Sequence, residues 1–594
     1  NTMMDLVPGA VDRPVKTTRY LGSYSLDIKL PVDGLKFRSN LGLDARTVQD
    51  YEFWSAKTSN RGMGTSYAKN AVDKYTMFTL ENMLFYDKTF NDKHTLGVTL
   101  LQSIQEDKRE SVNVAMENLP ADNLKYYDLG SGLVTNTIGS AMVKWNMASF
   151  MGRINYNYLG RYLLTVSARY DGSSRLADGH KWVLFPSAAL AWRINEESFM
   201  SSTSGWLDNL KLRLGFGKTG NSAVDPYQTK GTLSLIRYPF DNGGTPTIGY
   251  APNAMANSLL TWETTDQWNL GIDFGVLRGR INGTIDLYMQ NTHDLLLKRQ
   301  LPVVSGFPDV LSNVGKTRNK GIEVSINSMN INSKDFQWTT DLMLSSNKEE
   351  IVELYNGKND DIGSKWFIGQ PVNVHYDYRK VGIWQNTESD LAEMAKFAAN
   401  GTEFAPGDIK IQDVNGDYKI TDADKQILGN PRPKLIASMV NTFNYKGFDL
   451  SVFLYASFGA MLYNDIYAVE HCGRNGGVKV DYWTPNNPTN AYPRPSIDEE
   501  RPIYITSTYY EKADFLRVKT MTLGYTLPKT LTNKFLVEKL RVYFTAQNPF
   551  IFTNYTGIDP EAAKVNSAGN PETSGSGFGT PSVSSWIFGI NLTL

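Results

Sequence analysis

Hydrophobic and polar residues alternate along much of the chain with a period of two. In the segment 267–276, for example, Trp268, Leu270, Ile272 and Phe274 alternate with polar residues and glycine. Successive residues of a β-strand point to opposite faces of a sheet, so this pattern predicts strands with one apolar and one polar face. Similar patterns occur in the segments 210–216, 281–290, 322–327 and 583–594.

Two all-β architectures fit such strands. In a soluble sandwich the apolar faces form a shared core, whereas in a transmembrane barrel they face lipid and the polar faces line a wet lumen. Short turns at one end and long loops at the other are typical of outer-membrane barrels. The sequence therefore predicts a transmembrane antiparallel β-barrel with long extracellular loops. Short turns are predicted at 31–34, 91–93, 159–161, 277–280, 333–335 and 445–447, and long loops at 56–70, 108–143, 218–262, 295–320, 346–433, 458–512 and 556–581.

With two medium connections at 195–209 and 528–537, the six short turns make eight hairpins, and the strand at the end of the chain brings the prediction to roughly 17 strands. Bacterial barrels of one chain normally have an even number of strands, with both ends on the periplasmic side. An odd count therefore predicts that further strands precede Asn1 and that this sequence is part of a longer protein. Unpaired strand edges are not tolerated in lipid, which supports the same expectation.

The longest predicted loop, 346–433, is expected to have structure of its own. Thr387 and Asp390 have the spacing of a helix cap and precede apolar residues on one face, so a helix is predicted over 387–400. Aromatic residues in this loop are candidates to stack on sugar rings, although packing within the loop explains them equally well. These substrate-binding candidates are Trp366, Tyr376, Tyr378 and Trp384.

The same loop contains a motif that resembles an EF-type calcium loop. Such a loop has oxygen ligands at positions 1, 3 and 5, a backbone carbonyl at position 7 and a carboxylate at position 12. Position 6 is Tyr418, where glycine usually makes the sharp turn. The alternative is a surface turn rich in Asp and Asn that binds no ion. The candidate ligands of a structural Ca²⁺ are Asp413, Asn415, Asp417, Lys419 and Asp424.

Composition excludes several classes of protein. The 60 Lys and Arg residues balance 61 Asp and Glu residues, so the net charge is −1. The chain therefore lacks the excess of basic residues that is typical of proteins that bind nucleic acid. The single cysteine, Cys472, excludes an intrachain disulfide and a cysteine zinc site, and we interpret His471–Cys472 as a surface pair. The apolar runs are too short for a transmembrane helix. No catalytic residue or catalytic cofactor is predicted.

Taken together, several segments resemble the C-terminal part of the SusC/RagA family of TonB-dependent outer-membrane transporters. The matching segments cover nearly the whole chain, and the combination is more specific than any one of them. They include FPSAALAWRINEESF from Phe185, LTWETTDQWNLGIDFGVLRGRI from Leu260, PGDIKIQDVNGDYKITDADKQILGNPRPK from Pro406, ADFLRVKTMTLGYTLP from Ala513 and YFTAQNPFIFTNYTGIDPE from Tyr543.

The resemblance implies that residues 1–594 are part of one barrel of about 22 strands, with a plug domain outside this sequence. It also implies a SusD-like surface lipoprotein as a lid, TonB acting through the missing N-terminal region, and a candidate dimer of transporter–lid pairs. The cargo would be nutrient oligomers, oligosaccharides or peptides, imported across the outer membrane of a Gram-negative bacterium. Polar strand residues expected along the path are Gln267, Asn269, Asp273, Asn282, Thr284 and Asp286.

Two other functions remain alternatives on the residues alone. A soluble or surface all-β protein that binds glycans or acts as an adhesin would have a polar outer face and would need no detergent. A secreted β-rich hydrolase would place two carboxylates in one cleft, at a separation that the sequence does not reveal. The one-sided distribution of loop lengths and the final amphipathic strand argue against both.

Overall fold

The structure is a computed structural model in which strands dominate. It describes residues 7–62, 64–238, 240, 247–464, 479–496, 501–535, 537–561 and 582–593. His471 and Cys472, interpreted above as a surface pair, lie outside the described residues.

The described strands are numbered in chain order. The first half of the chain contains β1 (Val11–Asp12), β2 (Val15–Lys29), β3 (Leu35–Trp54), β4 (Tyr67–Phe90), β5 (His94–Glu117), β6 (Val134–Tyr158), β7 (Tyr162–Ser173), β8 (Trp182–Arg193), β9 (Leu207–Asn221), β10 (Thr232–Tyr238), β11 (Thr247–Ala254), β12 (Glu263–Val276), β13 (Ile281–His293), β14 (Leu296–Gln300) and β15 (Asp309–Asn313). The second half contains β16 (Lys316–Asn332), β17 (Phe336–Glu353), β18 (His375–Asp377), β19 (Lys380–Ile383), β20 (Ile409–Ile411), β21 (Gln426–Gly429), β22 (Leu435–Tyr445), β23 (Phe448–Phe458), β24 (Met461–Tyr463), β25 (Tyr510–Lys512), β26 (Phe515–Thr526), β27 (Lys539–Thr553) and β28 (Ser585–Thr593).

Helical structure is sparse. The α-helices of the described residues are α1 (Glu388–Ala399) and α2 (Lys529–Thr532), and short 3-10 helices lie in several connections. In the described part of the chain, neither helix has the length and apolar character needed to cross a bilayer.

The chain divides into two compact units. Unit 1 comprises Asn1–Trp192, Leu214–Trp268 and Thr292–Gly315, and unit 2 comprises Arg193–Arg213, Asn269–Asn291 and Lys316–Leu594.

In unit 1, consecutive strands pair in antiparallel order from β2 to β8. The hairpin of β4 and β5 is the longest, and its register runs without a shift from Tyr67–Glu117 to Phe90–His94. Its turn places Asn91 and Asp92 at φ values of 52° and 55°. Two successive left-handed residues make a turn whose twist matches that of the flanking strands, and Asn and Asp tolerate that conformation.

Unit 2 has the same local order. Each strand pairs antiparallel with the next one in the order β16, β17, β22, β23, β26, β27, β28. The register shifts by one residue between Val518 and Thr520 of β26, where the ladder contains a bulge. The predicted antiparallel all-β fold is therefore confirmed, while the closed barrel and the strand count stay predictions.

The strands predicted from the alternating pattern are confirmed as β9, β12, β13, β16 and β28. The prediction of a loop over 108–143 is wrong at both ends, because β5 continues to Glu117 and β6 begins at Val134. Pairing continues there because each additional residue pair satisfies backbone N–H and C=O groups that would bond to water in a loop. The hairpins β10–β11 and β14–β15 lie within two other predicted loops.

Candidate functional site: the large loop and the polar strand faces

The connection between β17 and β22, called the large loop below, folds around a hydrophobic core of its own within unit 2. Two small antiparallel ribbons, β18–β21 and β19–β20, frame it. Residues of a second connection, between β24 and β25, complete the core. The buried members of this cluster are Ile383, Ile409, Ile411, Trp483, Tyr492, Ile505 and Tyr509.

Helix α1 confirms the helix predicted in this loop. The Thr387 side chain accepts a hydrogen bond from the backbone N–H of Asp390, as the capping pattern predicts. The helix buries Met394 and Phe397, which pack against Trp384. The cap and the apolar face together explain why this segment is helical in a β protein.

The interpretation of Trp384 as a surface that stacks on a sugar is wrong. Its side chain is completely buried. Phe397 and Phe404 lie 5.9 and 5.5 Å from its ring centre, and Lys410 Nζ lies 4.0 Å from the centroid. Apolar side chains and the Lys410 ammonium group cover the Trp384 ring. Trp384 is therefore packed within the loop, which is the alternative given in the sequence analysis.

The other three aromatic candidates are half-buried, and the structure does not bring them into one cluster. The Tyr376 ring packs 4.7 Å from that of Phe367. The Trp366 backbone exchanges two hydrogen bonds with Asp361. Their proposed contact with substrate stays a prediction.

Tyr378 lies at the junction of the two connections. Its hydroxyl donates a hydrogen bond of 3.3 Å to Asp422, and its ring meets that of Tyr504 edge-on at 5.0 Å. Burial, with the nearby Asp422 carboxylate, raises the pKa of Tyr378 to about 12. Tyr378 therefore acts as a neutral hydrogen-bond donor across the neutral pH range.

The motif at 413–424 forms a turn that is held by hydrogen bonds from its own backbone. Tyr418, at position 6, has a φ of 56°, so it takes the left-handed conformation in which glycine is usual. Asp413 accepts hydrogen bonds from the backbone of Gly416 and Tyr418, at 2.7 and 2.8 Å. The Tyr418 ring packs on Phe397, which contributes to holding this conformation.

The other predicted ligands also bond to the loop backbone. Asn415 and Asp417 accept from the residues two positions ahead, and Asp424, which is fully buried, accepts from Val414 and Thr421. No group of three or more His, Cys, Asp or Glu side chains within the described ranges is arranged to hold a metal ion. The calcium site stays a prediction.

A buried histidine joins the large loop to β24. The His375 Nε2–H group donates a hydrogen bond of 2.7 Å to the carbonyl oxygen of Met461, and burial lowers the pKa of His375. The Tyr510 ring lies 5.1 Å away, and its hydroxyl donates to Asp377. Burial also lowers the pKa of Lys380 to about 8. This junction is therefore built from groups whose charged forms are disfavoured.

A polar cleft of about 560 Å³ opens where the large loop leaves and rejoins the strands. Arg432 and Glu349 form an ion pair of 2.9 Å on its lining, and Gln370 and Lys434 add further polar groups. The cleft offers donors and acceptors to a polar ligand.

Asp273 and Asp286, two of the polar residues expected along the path, both form ion pairs with Arg213. Arg213 lies 2.8 Å from Asp273 and 3.1 Å from Asp286. Gly271 makes room for this group, since a Cβ atom there would lie 2.5 Å from Arg213 Cζ. Asn282, by contrast, donates to the carbonyl of Gly279 in its own turn. Sequence reasoning missed Arg213, although a glycine inside an alternating strand signals close packing.

Comparison with known proteins places the chain in a family. Residues 8–548 match the family model described as TonB dependent receptor-like, beta-barrel. A TonB-dependent receptor of Formosa agariphila is 31% identical over 582 residues, which cover 94% of this chain and 56% of that protein. The TonB-dependent receptor SusC of Bacteroides thetaiotaomicron is 35% identical over 434 residues, which cover 70% and 41% of the two chains.

Solved structures show the same fold. A structure of the RagAB peptide transporter superposes with a TM-score of 0.82 at 22% identity, covering 98% of this chain and 62% of that one. The chain spans about half the length of the curated relatives it matches. From the family match, these relatives and the shared fold, the chain belongs to the TonB-dependent receptor-like β-barrel family and, within it, to the SusC/RagA group.

Proposed function

We propose that the complete protein is a TonB-dependent importer of nutrient oligomers, oligosaccharides or peptides, in the outer membrane of a Gram-negative bacterium. The family membership carries this proposal. The strands support it, because large apolar side chains remain exposed along one face of β5: Leu100 is 53% exposed and Ile104 is 42% exposed. A contiguous apolar face of this kind needs an apolar environment such as lipid.

In the proposed mechanism, this chain supplies the wall and the loops. The polar strand faces, with ion pairs such as Arg213–Asp273, would line the path of the cargo. The folded large loop would contribute to the mouth and would dock a SusD-like lipoprotein as the lid. A plug outside this sequence, pulled by TonB, would open the path. No catalytic chemistry is needed for these steps.

The test is purification of the full-length tagged protein from its native outer membrane in mild detergent, followed by mass spectrometry of copurifying proteins. We expect a surface lipoprotein of SusD type, and a native mass equal to two transporter–lid pairs. Deleting TonB should abolish growth on the cargo while leaving the complex intact. Recovery of the protein alone in the aqueous fraction would overturn the proposal and favour a soluble binding protein.

A further inference from the structure

A row of arginine side chains crosses the polar face of the sheet in unit 1. Arg19, Arg46, Tyr75 and Arg109 are direct cross-strand partners on β2, β3, β4 and β5. Directly opposed residues of antiparallel strands share one face and lie about 4.5–5.5 Å apart. Arg46 lies two residues beyond Asp44 on β3, so this face is the polar one.

The ring of Tyr75 stacks between two guanidinium groups. Arg46 Cζ lies 4.4 Å from the ring centroid and Arg109 Cζ lies 4.9 Å from it, one from each neighbouring strand. Stacking engages the flat face of a guanidinium and leaves its N–H groups pointing outward in the plane. A contact of this kind with Tyr75 leaves the N–H donors of Arg46 available to another partner.

The three arginines differ in their partners. Arg19 binds Asp44 through two hydrogen bonds of 2.8 and 2.6 Å, and Arg109 binds Asp73 at 2.9 Å. Among the described residues, no side chain forms a hydrogen bond or ion pair with Arg46, although Asp44 is close enough to sense its charge. Arg46 is exposed and flanked by two further cations.

We propose that the outward edge of Arg46 binds a carboxylate group of the cargo, and that the cargo is an acidic peptide. A guanidinium edge matches a carboxylate with two parallel hydrogen bonds. Cations from both neighbouring strands lie over the Tyr75 ring, so this ring offers no open platform for a sugar. The site therefore favours a peptide carboxylate over an acidic oligosaccharide. This inference rests on the proposed import function and specifies its substrate.

The test uses the full-length protein in detergent and isothermal titration calorimetry. The probes are a short Glu–Ala peptide with a free C-terminus and the matched Gln–Ala peptide with an amidated C-terminus. We expect Arg46→Gln to raise the Kd of the acidic peptide about 10- to 100-fold and to leave that of the neutral peptide unchanged, because charge-assisted hydrogen bonds are lost. Arg46→Lys, which keeps the charge without the planar fork, should give a smaller increase.

Arg38→Gln is the matched control. It removes the same charge from the same face of β3, but Arg38 is already paired with Asp27. We expect less than about a twofold change in Kd for this variant, since exposed paired charges contribute little. Heat-modifiability on gels would show that each variant is folded.

Three results would overturn the inference. Equal Kd values for the acidic and neutral peptides would show that the protein has no carboxylate site. Equal losses of affinity in Arg38→Gln and Arg46→Gln would show that binding depends on diffuse charge attraction instead. Binding of an oligogalacturonate that depends on Arg46, without binding of the acidic peptide, would assign the site to acidic sugars. None of these results would affect the membrane location or the lipoprotein partner, which the copurification experiment tests separately.

Discussion

The strands β2–β5 of unit 1 and the large loop of unit 2 use apolar residues in opposite ways. On β2 and β5 large apolar side chains remain exposed, including Tyr24 and Leu100, which is 53% exposed. In the large loop the corresponding residues are buried, with Trp384 at 0% and Phe397 at 2% exposure. Both regions are rich in aromatic and aliphatic residues, so composition alone does not distinguish them.

The difference shows where each region obtains its stability. The loop gathers its apolar side chains into one core, so their removal from water stabilises the loop wherever it is placed. The strands are held by continuous backbone ladders, and their apolar face gains nothing until another apolar phase covers it. The loop should therefore behave like a small water-soluble protein and the strands should not.

A matched pair of tryptophan substitutions tests this difference in stability most directly. Trp384→Ala should destabilise the large loop by about 3–5 kcal/mol, because it empties the centre of a packed core. Trp268→Ala, on β12, should cost less, about 1–2 kcal/mol, because Trp268 is 48% exposed and its main aromatic contact is the Phe216 ring at 4.8 Å.

Hydrogen exchange of the full-length protein in detergent would measure both effects. Residues 375–411 should lose protection in Trp384→Ala, while β4 and β5 keep theirs. Loss of protection in the strands as well would show that the loop and the strands fold as a single unit.

Calcium tests whether the loop has a second source of stability. If the motif at 413–424 binds Ca²⁺ only when folded, calcium at about 100 times its Kd adds ~2.7 kcal/mol to the stability of the loop. Asp413→Asn should abolish this gain, whereas Glu388→Gln, an exposed acid on α1, should leave it intact. Exchange rates of the loop that are the same in calcium and in chelator would favour the ion-free turn.

The helix cap should have a smaller effect confined to the loop. Thr387→Ala removes the acceptor for the backbone N–H of Asp390 and should cost about 1 kcal/mol. Faster exchange at the first turn of α1 would register the loss, and Thr387→Ser, which keeps the hydroxyl, is the control. An unchanged α1 in the Ala variant would mean that packing of Phe397 alone fixes the helix.

The smallest expected effect is a pH dependence at His375. Burial lowers its pKa below the ordinary value of about 6.5, so below that pH the unfolded loop binds a proton more readily than the folded one. Stability is therefore present above about pH 6.5 and decreases as the pH falls through that value. Exchange at β18, corrected for its intrinsic rate, should accelerate between about pH 7.5 and pH 5.5. His375→Gln, which can still donate to Met461, should remove the acceleration, and its persistence there would assign the effect to another group.

Sequence predicts the strands better than the loop for a physical reason. A tight turn sets the register of its hairpin, so the pairing of Tyr75 with Arg109 follows from the turn at 91–93, from which both are equally distant. Arg46 and Tyr75 are joined by the longer connection 55–66, which has no periodic pattern. Their stacking, and therefore the arginine row, can be recognised only in the structure.

In the loop, only the local signals were predictive. The cap at Thr387 located α1, since that interaction spans three residues. The burial of Trp384 depends on Phe397, Phe404 and Lys410, whereas the neighbouring cluster around Ile383 takes in residues about a hundred positions away, such as Trp483. No periodicity links these segments, so the sequence leaves both a ligand contact and packing within the loop open for Trp384.

The large loop starts and ends on neighbouring strands. Ser345 of β17 pairs directly with Ile436 of β22, and Ser346 donates a hydrogen bond to the carbonyl of Lys434. A segment whose two ends already touch can be replaced by recombination with a shorter or longer one, without shifting any rung of the ladder beneath it. The loop is in this sense a cassette, and relatives with the same strands can exchange it by recombination at its two ends.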